Sequence, residues 1–156
     1  MRFTIIMSQQ TENISTLNSL IETLKDGQEG FRQAAEAVKD SALKSLFNEY
    51  SMQRSQFAGA LQNEAICLGE PQPEDSSSFS GSLHRAWINL KSAISNGDDH
   101  AILAECERGE DSAVNEYKKA MEDEELSAPL RNVLSRQYAQ VKSAHDRVRN
   151  LRDVAK

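Results

Sequence analysis

The chain has 156 residues, 38% hydrophobic and 27% charged, with a formal net charge of −6. That length fits one domain, which would bury roughly 68–70% of its unfolded surface, so neither a metal nor a disulfide is needed to hold a core. The composition is too apolar for a disordered chain, and an acidic balance with no run of Lys or Arg excludes a duplex-binding surface and a nucleic-acid partner.

Only three prolines occur, Pro71, Pro73 and Pro129, which leaves long stretches free to be helix. The opening Met1–Met7 carries one charge and an apolar stretch too short for a signal-peptide core. Met7 reads as a more natural start, so residues 1–10 are expected to be frayed or disordered and the domain to occupy 11–156. No window approaches a transmembrane span. The two cysteines, Cys67 and Cys106, form neither a CxxC nor a zinc spacing. Both are expected to be free thiols, and a reducing cytoplasm with no membrane contact is the expected setting.

The first helix is predicted from about Thr11 to Lys39. Its stripe of Ile14, Leu17, Ile21, Leu24, Phe31, Ala35 and Val38 steps by threes and fours, the seam of a bundle helix, and Gln28 is its polar member. Asp40-Ser41 breaks the pattern and offers an N-cap. A second helix, about Ala42 to Leu68, carries Leu43, Phe47, Tyr50, Arg54, Phe57, Leu61, Glu64 and Leu68, with Arg54 and Glu64 polar. Gly69, Pro71 and Pro73 stop it. Residues 69–97 form a crossover, rich in Ser, Pro and Gly at first, then bearing a short helix at about Leu83–Ser95 with Leu83, Trp87, Leu90 and Ile94 on one face. Trp87 is expected to anchor it on the bundle. Asp98 caps a third long helix, about Asp99 to Asp123, with Leu103, Cys106, Glu110, Ala113, Tyr117 and Ala120. Ser127 and Pro129 open the last, about Ala128 to Val154, with Leu130, Val133, Gln137, Val141, Ala144, Val148 and Leu151. The basic cluster Arg147, Arg149 and Arg152 suits a solvated face near a helix C-terminus.

Short connections make the first two long helices antiparallel, and likewise the last two, whereas the crossover is long enough to run back along the bundle. The predicted fold is therefore all-α: a ferritin-like antiparallel four-helix bundle with one long crossover carrying a short extra helix. Lys25-Asp26-Gly27-Gln28 aligns with Glu107-Arg108-Gly109-Glu110, a weak internal repeat that pairs Gln28 with Glu110 and Arg54 with Val141. Gly27 and Gly109 inside helices each cost ~1 kcal/mol relative to Ala, which close backbone approach at mid-bundle would explain.

Gln28, Arg54 and Glu110 fall on core stripes at about one height, which predicts a polar core layer. In one reading Arg54 and Glu110 pair in the core and Gln28 completes the hydrogen bonds. In the other Arg54 snorkels outward and buries only its stem.

The segments Asp26-Gly27-Gln28-Glu29-Gly30-Phe31, His84-Arg85-Ala86-Trp87 and Glu105-Cys106-Glu107-Arg108-Gly109-Glu110-Asp111 resemble an uncharacterised bacterial family of ferritin-like four-helix bundles, a domain of unknown function, over roughly residues 10–155. The resemblance implies the fold and brings no activity with it. A di-iron bundle takes a Glu from each of two helices and Glu-x-x-His from each of the others. The matching positions here hold Gln28, Arg54 with Phe57, Glu110, and Val141 with Ala144, and the chain contains no Glu-x-x-His. Only Glu110 suits iron, and Arg54 cannot deprotonate. The expectation is a non-enzymatic structural or interaction module without cofactor or catalytic residues, self-associating as a homo-oligomer. The alternative is a metal-binding or oxidase-like protein with a rearranged site of Glu107, Glu110 and His145, with Cys106 at the same level.

Overall fold

In the computed structural model residues 2–74, 87 and 89–155 are described, with side chains from residue 8 onward. Among the described residues five helices follow in order: α1 (Arg2–Ala37), α2 (Ser41–Cys67), α3 (Leu90–Ser95), α4 (Asp99–Glu122) and α5 (Ala128–Val154). The fold is all-α, a ferritin-like four-helix bundle of α1, α2, α4 and α5 with α3 on the crossover. None of these helices is long and apolar enough to cross a membrane.

Local chemistry sets the helix ends. Asp40 caps α2, accepting from the backbone N–H of Ala42 at 2.8 Å and of Leu43 at 3.1 Å, as an N-cap carboxylate does. At the other end Gly69 has φ of 103°, and the N–H groups of Gly69 and Glu70 return to the carbonyls of Ile66 and Ala65. That is a Schellman closure, and glycine adopts its left-handed residue without a Cβ penalty. Asp98 caps α4 and Ser127 caps α5. One boundary differs from expectation. α1 begins at Arg2 rather than near Thr11, because neither Pro nor Gly interrupts the chain before Gly27, and a helix continues through such residues at little cost. Of the crossover helix expected over Leu83–Ser95, the part from Leu90 is observed. His84, Arg85 and Leu83 lie outside the described residues.

Side-chain pairings give the topology. Lys44 Nζ donates to the Ala35 carbonyl and Ser51 Oγ to the Gln28 carbonyl, so α1 and α2 are antiparallel. Tyr117 meets Gln137, and Asp111 meets His145, so α4 and α5 are antiparallel too. The Asp99 carboxylate accepts from the N–H groups of Lys39 and Asp40, while Gln9 at the other end of α1 donates to the Glu125 carbonyl. The start of α4 therefore lies beside the α1–α2 turn, and α2 and α4 run parallel. α1 packs on α4 and α2 on α5, while the described parts of α2 and α4 nowhere approach within 8 Å Cα to Cα. They face each other across the bundle diagonal.

The core falls into two apolar clusters. One, toward the α1–α2 turn, includes Phe31, Phe47, Tyr50, Trp87, Leu103, Cys106 and Val148. The other, toward the α4–α5 turn, includes Leu17, Leu24, Leu61, Tyr117, Leu134 and Val141. The α2 stripe departs from the predicted one beyond Arg54: Ala58 and Ala65 are fully buried, whereas Phe57, Glu64 and Leu68 are half-buried. A straight helix turns 3.6 residues per turn, so an apolar seam drifts by one position over its length. Cys67 is exposed and Cys106 buried, both as free thiols, and burial pushes the Cys106 thiol well above its ordinary range.

Candidate functional site

Arg54 and Glu110 lie between the two clusters, 1% and 0% exposed. Arg54 Nη2 donates to Glu110 Oε2 at 2.7 Å, and Nη1 donates to Oε1. This fork-on-fork pair crosses the diagonal from α2 to α4, a span that suits the long arginine stem and the planar guanidinium. Burial opposes the guanidinium charge and the Glu110 carboxylate more than offsets it, so its pKa is raised above the ordinary value. The guanidinium also lies 5.5 Å from the Phe31 ring centroid, within cation–π range, and its Nε points to Gln53 Oε1 at 3.3 Å.

Gln28 does not complete the pair. Its side chain makes no hydrogen bond to Arg54 or Glu110; its Oε1 is buried and accepts from no described group, and only its backbone carbonyl is engaged, by Ser51. Gln28 is half-buried, and the α1 residues buried at this level are Asp26 and Gly27. Gly27 holds the position that faces Arg54, whose Cγ lies 3.6 Å from where a Cβ would stand, and Gln28 is turned a hundred degrees away from it. A second buried polar contact lies nearer the α4–α5 turn, where Tyr117 Oη donates to Gln137 Oε1 at 2.7 Å.

The two glycines of the internal repeat have different surroundings. A Cβ at Gly27 would meet Arg54 Cγ at 3.6 Å, an ordinary contact. At Gly109, as at Gly30, a Cβ would come under 3.0 Å from the Trp87 indole. The Cδ2–Cε3–Cζ3 edge of the ring faces Gly30 on α1, and the Nε1–Cε2–Cζ2 edge faces Gly109 on α4. Trp87 is thus wedged between α1 and α4, edge-on to Phe31 at 5.4 Å, and the close approach at Gly109 is to an indole rather than to backbone.

The expected alternative grouping of Glu107, Glu110 and His145 does not form, since Glu110 points into the core toward Arg54. Asp111 takes its place. Glu107, Asp111 and His145 offer ligand atoms all within 4.8 Å of one another. Positions four apart on α4 share a face, so Glu107 and Asp111 both turn toward α5, whereas Glu110 lies on the core side. His145 Nε2 is 2.5 Å from Asp111 Oδ1, and its Nδ1 is 2.9 Å from Asp146 Oδ1. Lys142 and His145 together hold the Asp146 carboxyl down at about 2. Arg152 Nη1 contacts Glu107 Oε2. Cys106 belongs to the apolar cluster and has no place in this group. The spacing of Glu107 and Asp111 was the available sequence signal for this trio. Glu107 and His145 were both expected in such a group, and Asp111 is the member the sequence reading missed.

The di-iron centre that the fold implies does not fit these residues. The space between α2 and α4 is filled by a guanidinium bonded to both oxygens of the one suitable carboxylate, and α5 presents Val141 and Ala144 at that level. What the described residues hold is an incomplete three-residue Glu/Asp/His cluster between α4 and α5, not a full di-iron site. No curated protein matches the chain. The family model described as "Domain of unknown function (DUF2383)" matches residues 12–123, from α1 through the end of α4, and the chain therefore belongs to that family of ferritin-like bundles.

Proposed function

We propose that this bundle is a non-enzymatic interaction module, in which the level where ferritin-like enzymes carry out their chemistry has become structural. The observation that supports this most directly is the buried, bidentate Arg54–Glu110 pair. A metal centre needs several converging O and N ligands with open positions for oxygen. Arg54 supplies a fixed positive charge in that space and bonds to both oxygens of Glu110. The reading includes self-association as a homo-oligomer. The outer face of α2 favours it, with Met52 and Ile66 64% and 52% exposed.

The test is direct. Purified protein incubated anaerobically with ferrous iron, desalted and analysed for metal should retain well under one iron per chain. Exposure to oxygen should give no ferric absorbance beyond the protein-free rate. Two irons per chain, or multiple-turnover ferrous oxidation, would overturn the proposal.

A further inference from the structure

We propose that Glu107, Asp111 and His145 form a binding site for a single divalent transition ion of the zinc class, tying α4 to α5. The inference is independent of the mid-bundle reading, because the hydrogen bonds and ion pairs of these side chains are with one another, Asp146 and Arg152, not with the Arg54–Glu110 pair. The donor set is mixed, two carboxylate oxygens and one imidazole nitrogen, all within 4.8 Å. That composition suits zinc, which takes three protein ligands and a water in open sites. Two of the three ligand residues are buried, Glu107 at 8% and His145 at 7% exposure, whereas Asp111 is exposed and opens the site to solvent.

The imidazole is already oriented. Its Nδ1 faces Asp146 at 2.9 Å while Nε2 faces Asp111. A carboxylate that accepts from one ring nitrogen fixes the tautomer and turns the other nitrogen's lone pair toward a metal. Zinc would take up the position between Nε2 and the Asp111 oxygen, and the proton shared there would leave to solvent. Arg152 is the competing cation. It sits on Glu107 Oε2 and would swing outward when the ion binds, which its half-buried position in the last turn of α5 allows.

The experiment is titration calorimetry with zinc chloride on the metal-free chain carrying Cys67→Ser, which removes the exposed thiol as a rival ligand. One zinc per chain is expected, with its affinity lowered at least tenfold by His145→Asn and by Asp111→Asn. Asp146→Asn should lower it by roughly 10–100-fold, the usual effect of losing a residue that orients a ligand. Arg152→Ala should tighten binding. That response separates a metal site from a mere salt-bridge cluster, in which losing Arg152 could only loosen the structure. Zinc should also raise the unfolding temperature of the parent and not of Asp111→Asn, whose exposed side chain can change without disturbing the core. Absence of zinc binding, or affinity indifferent to both Asp111→Asn and His145→Asn, overturns the proposal.

Discussion

Replacing either partner of the Arg54–Glu110 pair leaves the other charge buried and unpaired. A buried pair is itself weak evidence for stability, because desolvating two ions offsets most of their attraction. Removing one partner is a different matter, and Glu110→Gln or Arg54→Met should each cost about 3–5 kcal/mol. The combined Arg54→Met, Glu110→Leu chain replaces both ions by apolar groups of similar length between two apolar clusters and should recover most of that loss. A double-mutant cycle by urea unfolding measures the coupling; a value below about half a kcal/mol would mean the two charges do not depend on each other. The stripe pattern made Arg54 and Glu110 legible in the sequence, since each interrupts an otherwise apolar seam. It did not make Gln28 against Gly27 legible, because neighbouring positions on α1 are a hundred degrees apart, and the pattern offered a polar side chain at one and no side chain at the other.

The helices were readable because caps, stops and seams agreed: Asp40, Gly69, Asp98 and Ser127 all act at the ends they suggested. What a one-dimensional pattern hides is which neighbour a small residue accommodates. Gly109 and Gly59 look alike in sequence, each inside a helix, yet one lies under the Trp87 ring and a Cβ at the other would meet nothing within 4 Å. Helix propensity alone predicts that alanine at either site stabilises by ~1 kcal/mol. The surroundings predict opposite signs. Gly59→Ala should stabilise by about 0.5–1 kcal/mol. Gly109→Ala must displace an indole held between two helices, and overpacking of about 1–3 kcal/mol should outweigh the propensity gain. Adding Trp87→Phe to Gly109→Ala should lessen the alanine's cost, because the smaller ring leaves room for the methyl. Urea midpoints of the wild type, Gly59→Ala, Gly109→Ala, Trp87→Phe and the double variant check this, and a stabilising Gly109→Ala would mean the indole does not sit where α1 and α4 need it.

At the scale of the whole molecule, the outer face of α2 stands apart in a chain that is 27% charged. Its exposed positions are Ser41, Ala42, Ser45, Asn48, Glu49, Met52, Gln56, Ala60, Asn63, Ile66 and Cys67, with Glu49 the sole charge among them. Met52 and Ile66 are two heptads apart on this face, roughly 21 Å along the axis, with Gly59 midway. Interface centres are depleted of charged residues and enriched in methionine, and a groove at Gly59 lets a second helix come close. Two copies related by a twofold axis would set Met52 of each against the Ile66 region of the other, the self-complementary arrangement that closed dimers use. The helix period announced the buried seam of α2 as far as Arg54, but the poverty of charge on its back became visible only once the inward face was known. Sedimentation velocity over a hundredfold concentration range should show reversible association of the wild-type chain. Met52→Lys with Ile66→Lys should leave a monomer at every concentration, since two like charges would then meet across the axis while the core, which neither side chain enters, stays intact by circular dichroism. A wild-type chain that remains monomeric at the top of the range, or a double variant that associates as the wild type does, would remove α2 as the contact face.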